Sequence, residues 1–226
     1  MKSIKVIILS LLFALPILAQ EHYWVVSNGD SLCFTISKGT EQRKVTFVGS
    51  SCKSILTIPN TVEINGTTYD VATIGYQALT GNRKLTEINL PSSLRTIEPN
   101  AFEGCSNLKK INIPFGVASI GDYAFQDCTS LKECILPESV KLIGDAVFRG
   151  CDHLKTVVLP QAITEISYKM FMGCFKLQNV NVPESVRIIE DYAFCNCISL
   201  RQLVLPQGIK IEEHALQGCG SASKYK

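Results

Sequence analysis

The chain has little excess of charge of either sign. Its 226 residues include 22 lysines and arginines against 20 aspartates and glutamates, a formal net charge of +2. Lys2 and Lys5 lie in an N-terminal segment that we predict to be removed, and the remainder is then formally neutral. Binding to nucleic acid or to an anionic membrane through bulk charge needs a clear basic excess. We therefore expect neither partner.

Long hydrophobic runs are also absent. The run from Val6 to Leu18 is interrupted by Ser10 and Pro16, follows two lysines and is short for a membrane-spanning helix. This is the pattern of a secretory signal peptide. We predict that residues 1–19 are cleaved near Ala19, and that the mature chain is secreted, periplasmic or at the cell surface without membrane insertion.

Sequence motifs for catalysis are missing. There is no nucleophile elbow around a serine or cysteine and no glycine-rich phosphate loop, and His22, His153 and His214 fall in separate parts of the chain. Cys195 and Cys197 form a C-x-C pair, but no second pair has zinc-site spacing. We expect a non-enzymatic protein with no cofactor and no metal.

The chain does contain a repeat of 23 residues. Each repeat begins with a leucine that is followed six residues later by a proline. The leucines are Leu85, Leu108, Leu131, Leu154, Leu177 and Leu200, and the prolines are Pro91, Pro114, Pro137, Pro160, Pro183 and Pro206. A fixed period of this length is the signature of a solenoid, which presents a long regular surface. The expected function is therefore binding.

One unit shows how the repeat should fold. Leu108 to Ile113 has the apolar spacing of a short strand, and Pro114 ends it because proline has no N–H to donate to a ladder. Val117 and Ile120 form a second apolar pair, and Tyr123 to Asp127 is short enough for one helical or 3-10 turn. The pattern predicts an α/β solenoid with short parallel strands and short helical or 3-10 turns.

Three columns of side chains should form the core. The first two are Phe102, Phe125, Phe148, Phe171 and Phe194, and Ile97, Ile120, Ile143, Ile166 and Ile189. The third is Cys105, Cys128, Cys151, Cys174 and Cys197, with Cys219 displaced by one residue. We predict buried free thiols because their Cβ vectors are parallel, although a spacing of about 4.8 Å between units does not itself exclude disulfides. A bridge between Cys33 and Cys52 is left open.

The ends of the repeat array differ from its middle. Residues 20–54 should form an N-terminal β-hairpin cap, residues 55–220 the solenoid of about seven units, and residues 221–226 a tail. A hairpin about Asn65-Gly66 is predicted near residues 62–71. Unit four, counted from the repeat that begins at Leu85, starts at Leu154. It has Ser167 to Met170 where its neighbours read Gly-Asp-Tyr-Ala or similar, which predicts a local bend or altered turn.

Positions that the scaffold leaves free are the candidate binding surface. The residue after each leucine forms a basic row, and the strands carry a mixed ladder. The candidate residues are Lys109, Lys132, Lys155 and Arg201 in the row and Asn89, Asn112, Ile135, Val158, Asn181 and Val204 in the ladder. A second row that leans basic contains Arg95, Lys141, Arg187 and Lys210. Such rows either keep a solvated face soluble or contact an acidic stretch of an extracellular protein or glycan.

The segment Ile120 to Pro160 reads IGDYAFQDCTSLKECILPESVKLIGDAVFRGCDHLKTVVLP. Its pattern IG-x-x-AF-x-x-C-x-x-L-x-x-I-x-L-P resembles the BspA-type, or type-5, leucine-rich repeat, over about Cys52 to Cys219. This resemblance implies a right-handed superhelix exported by host-associated bacteria, with roles in adhesion to host matrix, coaggregation or other protein binding. An alternative is a structural component that self-associates through its solenoid ends, because Leu200 to Leu205 should leave an unpaired strand edge.

Overall fold

The structure is a computed structural model, and it describes residues 22–27, 30–36, 44–50, 54–201 and 203–220. The predicted signal peptide, Cys52 and the tail lie outside these residues. The first six strands are β1 (His22–Ser27), β2 (Asp30–Ile36), β3 (Lys44–Ser50), β4 (Ile55–Thr57), β5 (Thr61–Ile64) and β6 (Thr67–Ile74).

The repeats that follow contribute two short strands each. In chain order these are β7 (Glu87–Asn89), β8 (Thr96–Ile97), β9 (Lys110–Ile111), β10 (Ser119–Ile120), β11 (Glu133–Ile135), β12 (Leu142–Ile143), β13 (Thr156–Val158), β14 (Glu165–Ile166), β15 (Asn179–Asn181), β16 (Ile188–Ile189) and β17 (Lys210–Ile211). The result is a β-solenoid of about seven turns whose repeat strands pair in parallel, as predicted.

The solenoid has three sides: two strand faces and one side formed by turns. The first face is the outward side of β4-β7-β9 and β11-β13-β15. The second face is the outward side of the sheet β1-β2-β3-β6-β8-β10-β12 and of β14-β16-β17. The turn side is the stack of segments that lead from each second-face strand to the next leucine. Each strand face is interrupted once, between β9 and β11 and between β12 and β14.

The predicted helical or 3-10 turns are wrong, because the described residues contain no helix. In each turn, every second backbone N–H group donates its hydrogen bond to a carbonyl of the next unit, not to a carbonyl of its own turn. Tyr123 N donates to Asp145 O at 2.8 Å, and Phe125 N donates to Val147 O at 3.0 Å. Tyr123 also has a positive φ of 57°, which a right-handed helix does not allow. The turns are thus shared hydrogen-bonded layers between units.

The phenylalanine column forms the centre of the core. The five rings from Phe102 to Phe194 are fully buried and stack with centroids 5.2 to 5.7 Å apart. The isoleucine column lies beside them; Ile143 is less buried than its equivalents, next to the break after β12. Burial of a large apolar side chain contributes about 1.5 to 3 kcal/mol, so these columns are a major source of stability.

Cysteine thiols line the same core. The thiol of Cys128 donates to the carbonyl of Phe102 at 3.2 Å, and that of Cys151 donates to Phe125 at 3.2 Å. The same bond joins Cys174 to Phe148 and Cys197 to Phe171. None of the described cysteines in the column forms a disulfide, which agrees with the prediction. Cysteine suits this position because it is a small buried hydrophobe that still offers a weak donor.

The N-terminal strands extend the solenoid sheet. β1 and β2 form an antiparallel pair, β3 pairs antiparallel with β2, and β3 then pairs in parallel with β6. Phe34 and Phe47 pack edge to face beneath these strands, with centroids 5.7 Å apart. The hairpin of β5 and β6 turns at Asn65 and Gly66, which both have positive φ, as an Asn-Gly turn requires. The domain boundaries given above remain predictions.

Unit four departs from its neighbours where the sequence differs. Met170 is buried at a position that is alanine in Ala124 and Ala193, and its larger side chain needs room between units. Ser167 replaces the glycine found at Gly144, and its hydroxyl donates to Gly144 O at 2.7 Å. The break between β12 and β14 falls at this junction. In addition, the strand predicted over Leu200 to Leu205 is not formed by the described residues in that range.

Candidate binding surfaces

All ten predicted site residues are exposed. Eight of them lie on or next to the strands of the first face, whereas Arg201 and Val204 lie in the last unit, where the described residues form no strand. The basic row follows the buried leucines, so each side chain stands beside the start of a strand. Lys155 N donates to Lys132 O at 2.8 Å, and Gln178 N donates to Lys155 O at 2.9 Å. These backbone bonds hold successive members of the row one strand spacing apart. Whether the row binds a partner remains a prediction.

The charge of this face is mixed. β9 places Lys110 directly beside Glu87 of β7, and Glu133 occupies the equivalent position in β11. These side chains are exposed, and they alternate acidic and basic charge next to the row of lysines. Long-range attraction of anions by the face is therefore weaker than the lysines alone suggest. Attraction at close range to a matched partner is retained.

The ladder residues divide into two groups. Asn181 is used within the scaffold, because its Oδ1 accepts from Leu159 N at 2.7 Å and its Nδ2 donates to Leu159 O at 3.1 Å. Asn89 similarly donates to Thr57 Oγ1 at 3.1 Å. In contrast, Ile135 and Val204 are 63% and 68% exposed. The apolar members of the ladder are therefore stronger candidates for partner contact than the asparagines.

One prominent residue of this region was not predicted. Phe115 follows Pro114 and is 79% exposed, whereas the equivalent positions hold polar residues such as Glu138 and Gln161. A groove of about 180 Å³, lined in part by Ile135, lies at the break between β9 and β11. Alignment of the repeats would have revealed Phe115 as the one aromatic residue in a polar column.

The second row that leans basic has a structural role at two positions. Arg95 Nη1 donates to Leu94 O at 2.8 Å and to Ser92 O at 3.3 Å. Arg187 makes the same pair of bonds to Val186 and Glu184. These guanidinium groups satisfy carbonyls of the turn that precedes the second-face strands. We therefore assign them to the scaffold.

The turn side carries a cluster of aromatic rings across units four to six. Tyr192 stacks on His214 with centroids 5.0 Å apart and meets Tyr168 edge to face at 6.2 Å. The ammonium of Lys169 lies 4.6 Å from the centre of the Tyr168 ring. His214 Nδ1 lies 3.2 Å from Asp191 Oδ1. These contacts hold neighbouring units together, and half-burial of the rings leaves little surface for a ligand.

The buried cysteines of the core have strongly raised pKa values. Burial raises the pKa of the Cys134 thiol to about 12 and raises that of Cys151 well above its ordinary value. Such thiols are inert because the thiolate is the nucleophile. Among the described residues, no three histidine, cysteine or acidic side chains are grouped so that they could hold a metal ion. No described segment forms a helix able to cross a membrane.

A continuous stack of short strands with exposed rows defines the class of molecule: a solenoid repeat protein with an extended surface. Comparison with known proteins then gives the family. Residues 40–177 and 118–226 match the BspA type leucine rich repeat region, in six copies. The chain belongs to the BspA-type leucine-rich-repeat family.

Solved structures of bacterial leucine-rich-repeat proteins are similar to the chain. A protein from Bacteroides ovatus ATCC 8483 is 32% identical with a TM-score of 0.68, over 83% of this chain and 56% of that one. A cell surface protein from Faecalibacterium prausnitzii A2-165 is 30% identical with a TM-score of 0.76, over 89% and 54%. The T. pallidum protein TpLRR is 26% identical with a TM-score of 0.62, over 74% and 86%.

The chain thus corresponds to just over half the length of the Bacteroides and Faecalibacterium proteins. No curated protein matches it.

Proposed function

We propose that this chain is an exported, non-enzymatic binding protein that uses its first face to contact a protein on a host or partner-cell surface. The observation that carries the proposal is the exposure of apolar side chains on the polar, regular first face and in the turn that follows it. Ile135 of β11 is 63% exposed, and Phe115, in the turn after β9, is 79% exposed. Exposed apolar residues rimmed by polar ones are typical of protein contact sites.

The chemistry of the face favours a protein partner. Aromatic and large aliphatic side chains contribute most of the binding energy in protein interfaces, and the charges around them set orientation and association rate. Phe115 and Ile135 would supply the apolar contact. Lys132 and Lys155, which are exposed in adjacent units, would meet acidic residues of the partner.

Export is supported by the N-terminal pattern and by a relative. Lys2 and Lys5 precede the apolar run from Val6 to Leu18, as in a signal peptide. The similar Faecalibacterium protein is described as a cell surface protein. We infer that the mature chain acts outside the cytoplasm, and that its partner is an adhesion target such as a matrix or cell-surface protein.

The test compares two charge-matched variants in a pull-down from extracellular matrix and partner-cell surface extracts. K132Q/K155Q removes two charges from the first face, and K141Q/K210Q removes two exposed lysines from the second face. We expect the first variant and Phe115→Ala to lose the captured protein and the second variant to keep it. Equal capture by all three, or binding that does not respond to salt, would contradict the proposal.

Self-association through the solenoid ends remains the second proposal. The sequence suggested it through the expected strand at Leu200 to Leu205, but that strand is not formed by the described residues, and residues 221–226 lie outside them. Light scattering over a concentration series distinguishes the two proposals, because assembly raises the mean mass with concentration while a simple binding module stays constant.

A further inference from the structure

A row of hydroxyl side chains crosses the second face in one continuous register. The pairing runs from His22 of β1 through the next five strands to Leu142 of β12. The residues between these two ends are Thr35, Thr46, Thr73, Thr96 and Ser119. At a spacing of about 4.8 Å per strand, the five hydroxyl residues span about 19 Å. They belong to both the N-terminal strands and the repeats, so no single repeat unit reveals the row.

A groove of about 620 Å³ lies over the N-terminal end of this row. Trp24 of β1, 39% exposed, and Tyr76 just after β6, 61% exposed, line it from strands three spacings apart. Thr35, Thr46 and Cys33 lie between them. The groove has the size of an ordinary small-molecule site and is walled by aromatic rings that face solvent.

Thr35 provides an independent sign that this groove is a site. Its side chain is 1% exposed, and Oγ1 has no hydrogen-bond partner among the described residues. A buried hydroxyl without a partner is destabilising and needs an explanation. The residues paired with Thr35 on the two neighbouring strands are His22 of β1 and Thr46 of β3. A ligand that donates to or accepts from Oγ1 would remove the penalty.

Glu98 is the one carboxylate among the described residues that line the groove. Its Oε2 accepts from Tyr76 N at 2.7 Å, which fixes the carboxylate beside the aromatic ring, and no described residue donates to Oε1. Glu98 also lines a second hollow of about 470 Å³ that continues over Thr96 and Ser119 to Leu142. The two hollows therefore form one trough along the hydroxyl row, with Glu98 at their junction.

The lining selects the chemistry of the ligand. Among the described residues that line the groove there is neither lysine nor arginine, so an anionic ligand there would meet Glu98 without compensation. In the second hollow, Lys141 is accompanied by the carboxylates of Asp122 and Glu165. A wholly apolar ligand would leave the hydroxyl row and Glu98 desolvated without partners. A sugar ring fits both features, because its C–H face packs on an aromatic ring while its hydroxyl groups bond to carboxylate and hydroxyl side chains.

We propose that this trough binds a neutral oligosaccharide, with rings packed on Trp24 and Tyr76 and hydroxyl groups bonded to Glu98 and Thr35. This site lies on a different face from the protein-contact surface, so each can be tested without the other.

Trp24 allows a direct experiment, because it is the only tryptophan in the chain. The mature protein is titrated with laminaritetraose, cellotetraose and tetra-N-acetylchitotetraose, and with a heparin tetrasaccharide as an anionic contrast, while tryptophan emission is recorded. We expect a saturable change with at least one neutral probe and none with heparin. The Trp24→Phe variant lacks the fluorescence signal but retains an aromatic ring, so its affinity for the same probes is measured by calorimetry.

Variants separate a sugar site from a merely structural groove. Tyr76→Ala should weaken binding by roughly tenfold, because a stacked ring is lost. Thr35→Val should also weaken binding while it raises thermal stability, since it removes the unpartnered hydroxyl. Phe115→Ala, in the turn after β9 and outside the lining of both hollows, should leave sugar binding unchanged. No response to any neutral probe at millimolar concentration, or affinity unchanged by both Tyr76→Ala and Thr35→Val, would overturn the proposal.

Discussion

The turn side of the solenoid is continuous, whereas each strand face is interrupted once. On the turn side every junction from unit two onward carries the same backbone bonds, such as Phe125 N to Val147 O at 3.0 Å and Phe148 N to Met170 O at 2.9 Å. Stacked phenylalanines and thiol-to-carbonyl bonds follow the same path. The strand faces break between β9 and β11 and between β12 and β14.

This difference indicates which side maintains the stack. The two breaks flank a single unit, that of β11 and β12, on opposite faces. At each break the opposite strand face stays paired, β10 with β12 at the first and β11 with β13 at the second, and only the turn side is continuous through both among the described residues. The strand faces tolerate varied residues such as Ile135 and Leu142, both of which are exposed. Stability and recognition are assigned to different sides of one repeat.

The largest expected effect comes from interrupting the turn side. Phe148 is fully buried and stacks on both Phe125 and Phe171 with centroids 5.7 Å apart. Phe148→Ala should lower the free energy of unfolding by about 3 to 5 kcal/mol, because a large cavity opens in the centre of the column. Denaturant titration followed by circular dichroism measures the loss.

Phe115→Ala is the matched control at an exposed position, in the turn after β9. It also replaces a phenylalanine by alanine, but this side chain is 79% exposed, so the free energy of unfolding should change by about 0.5 kcal/mol or less. If the two variants were equally destabilised, the buried phenylalanine column would not be a special source of stability.

A smaller effect tests the thiol ladder. Cys151→Ala removes both a buried sulfur and its bond to Phe125 O at 3.2 Å. Cys134→Ala removes an equally buried sulfur from β11, whose thiol forms no hydrogen bond between described residues. We expect losses of about 2 and about 1 kcal/mol in the free energy of unfolding. Equal losses in thermal or chemical unfolding would show that the thiol bond adds nothing to packing.

The interior of the fold was predictable from single positions in the repeat. Phe125 and Cys128 recur every 23 residues, and a position that never varies must face the same environment in every unit. The helical turns were predicted wrongly because the length of a segment does not say where its N–H groups bond. Those of Tyr123 and Phe125 bond to the next unit, which only stacking provides.

The candidate surfaces were predictable only in part. Lys132 and Val158 were expected to be exposed because they lie at variable positions beside buried ones. The hydroxyl row was not foreseen, because it joins Thr35 and Thr46 of the N-terminal strands to Thr96 of the repeats through a parallel pairing of β3 with β6. No sequence period connects these residues. Register between unlike segments is set by tertiary packing.

Hydrogen exchange should resolve the breaks residue by residue. Lys155 N and Arg187 N each donate to the preceding unit, at 2.9 Å or less, whereas the equivalent amides of Lys132 and Thr164 have no such bond among the described residues. We expect Lys132 and Thr164 to exchange through local opening and the turn-side amide of Phe148 to be among the slowest. Equal protection of Lys132 and Lys155 would show that the sheet closes in solution.

The smallest effect concerns thiol reactivity at the end of the turn-side column. Alkylation requires the thiolate. A hydrogen bond from the Cys197 thiol lowers the pKa of Cys219, whereas burial raises the pKa of Cys128 and of Cys151. At neutral pH a larger fraction of Cys219 than of Cys128 or Cys151 is therefore thiolate, and Cys219 is also more exposed than these two. Iodoacetamide followed by peptide mass spectrometry should label Cys219 before the buried column. Early labelling of Cys151 would mean that the turn side opens as readily as the strand faces.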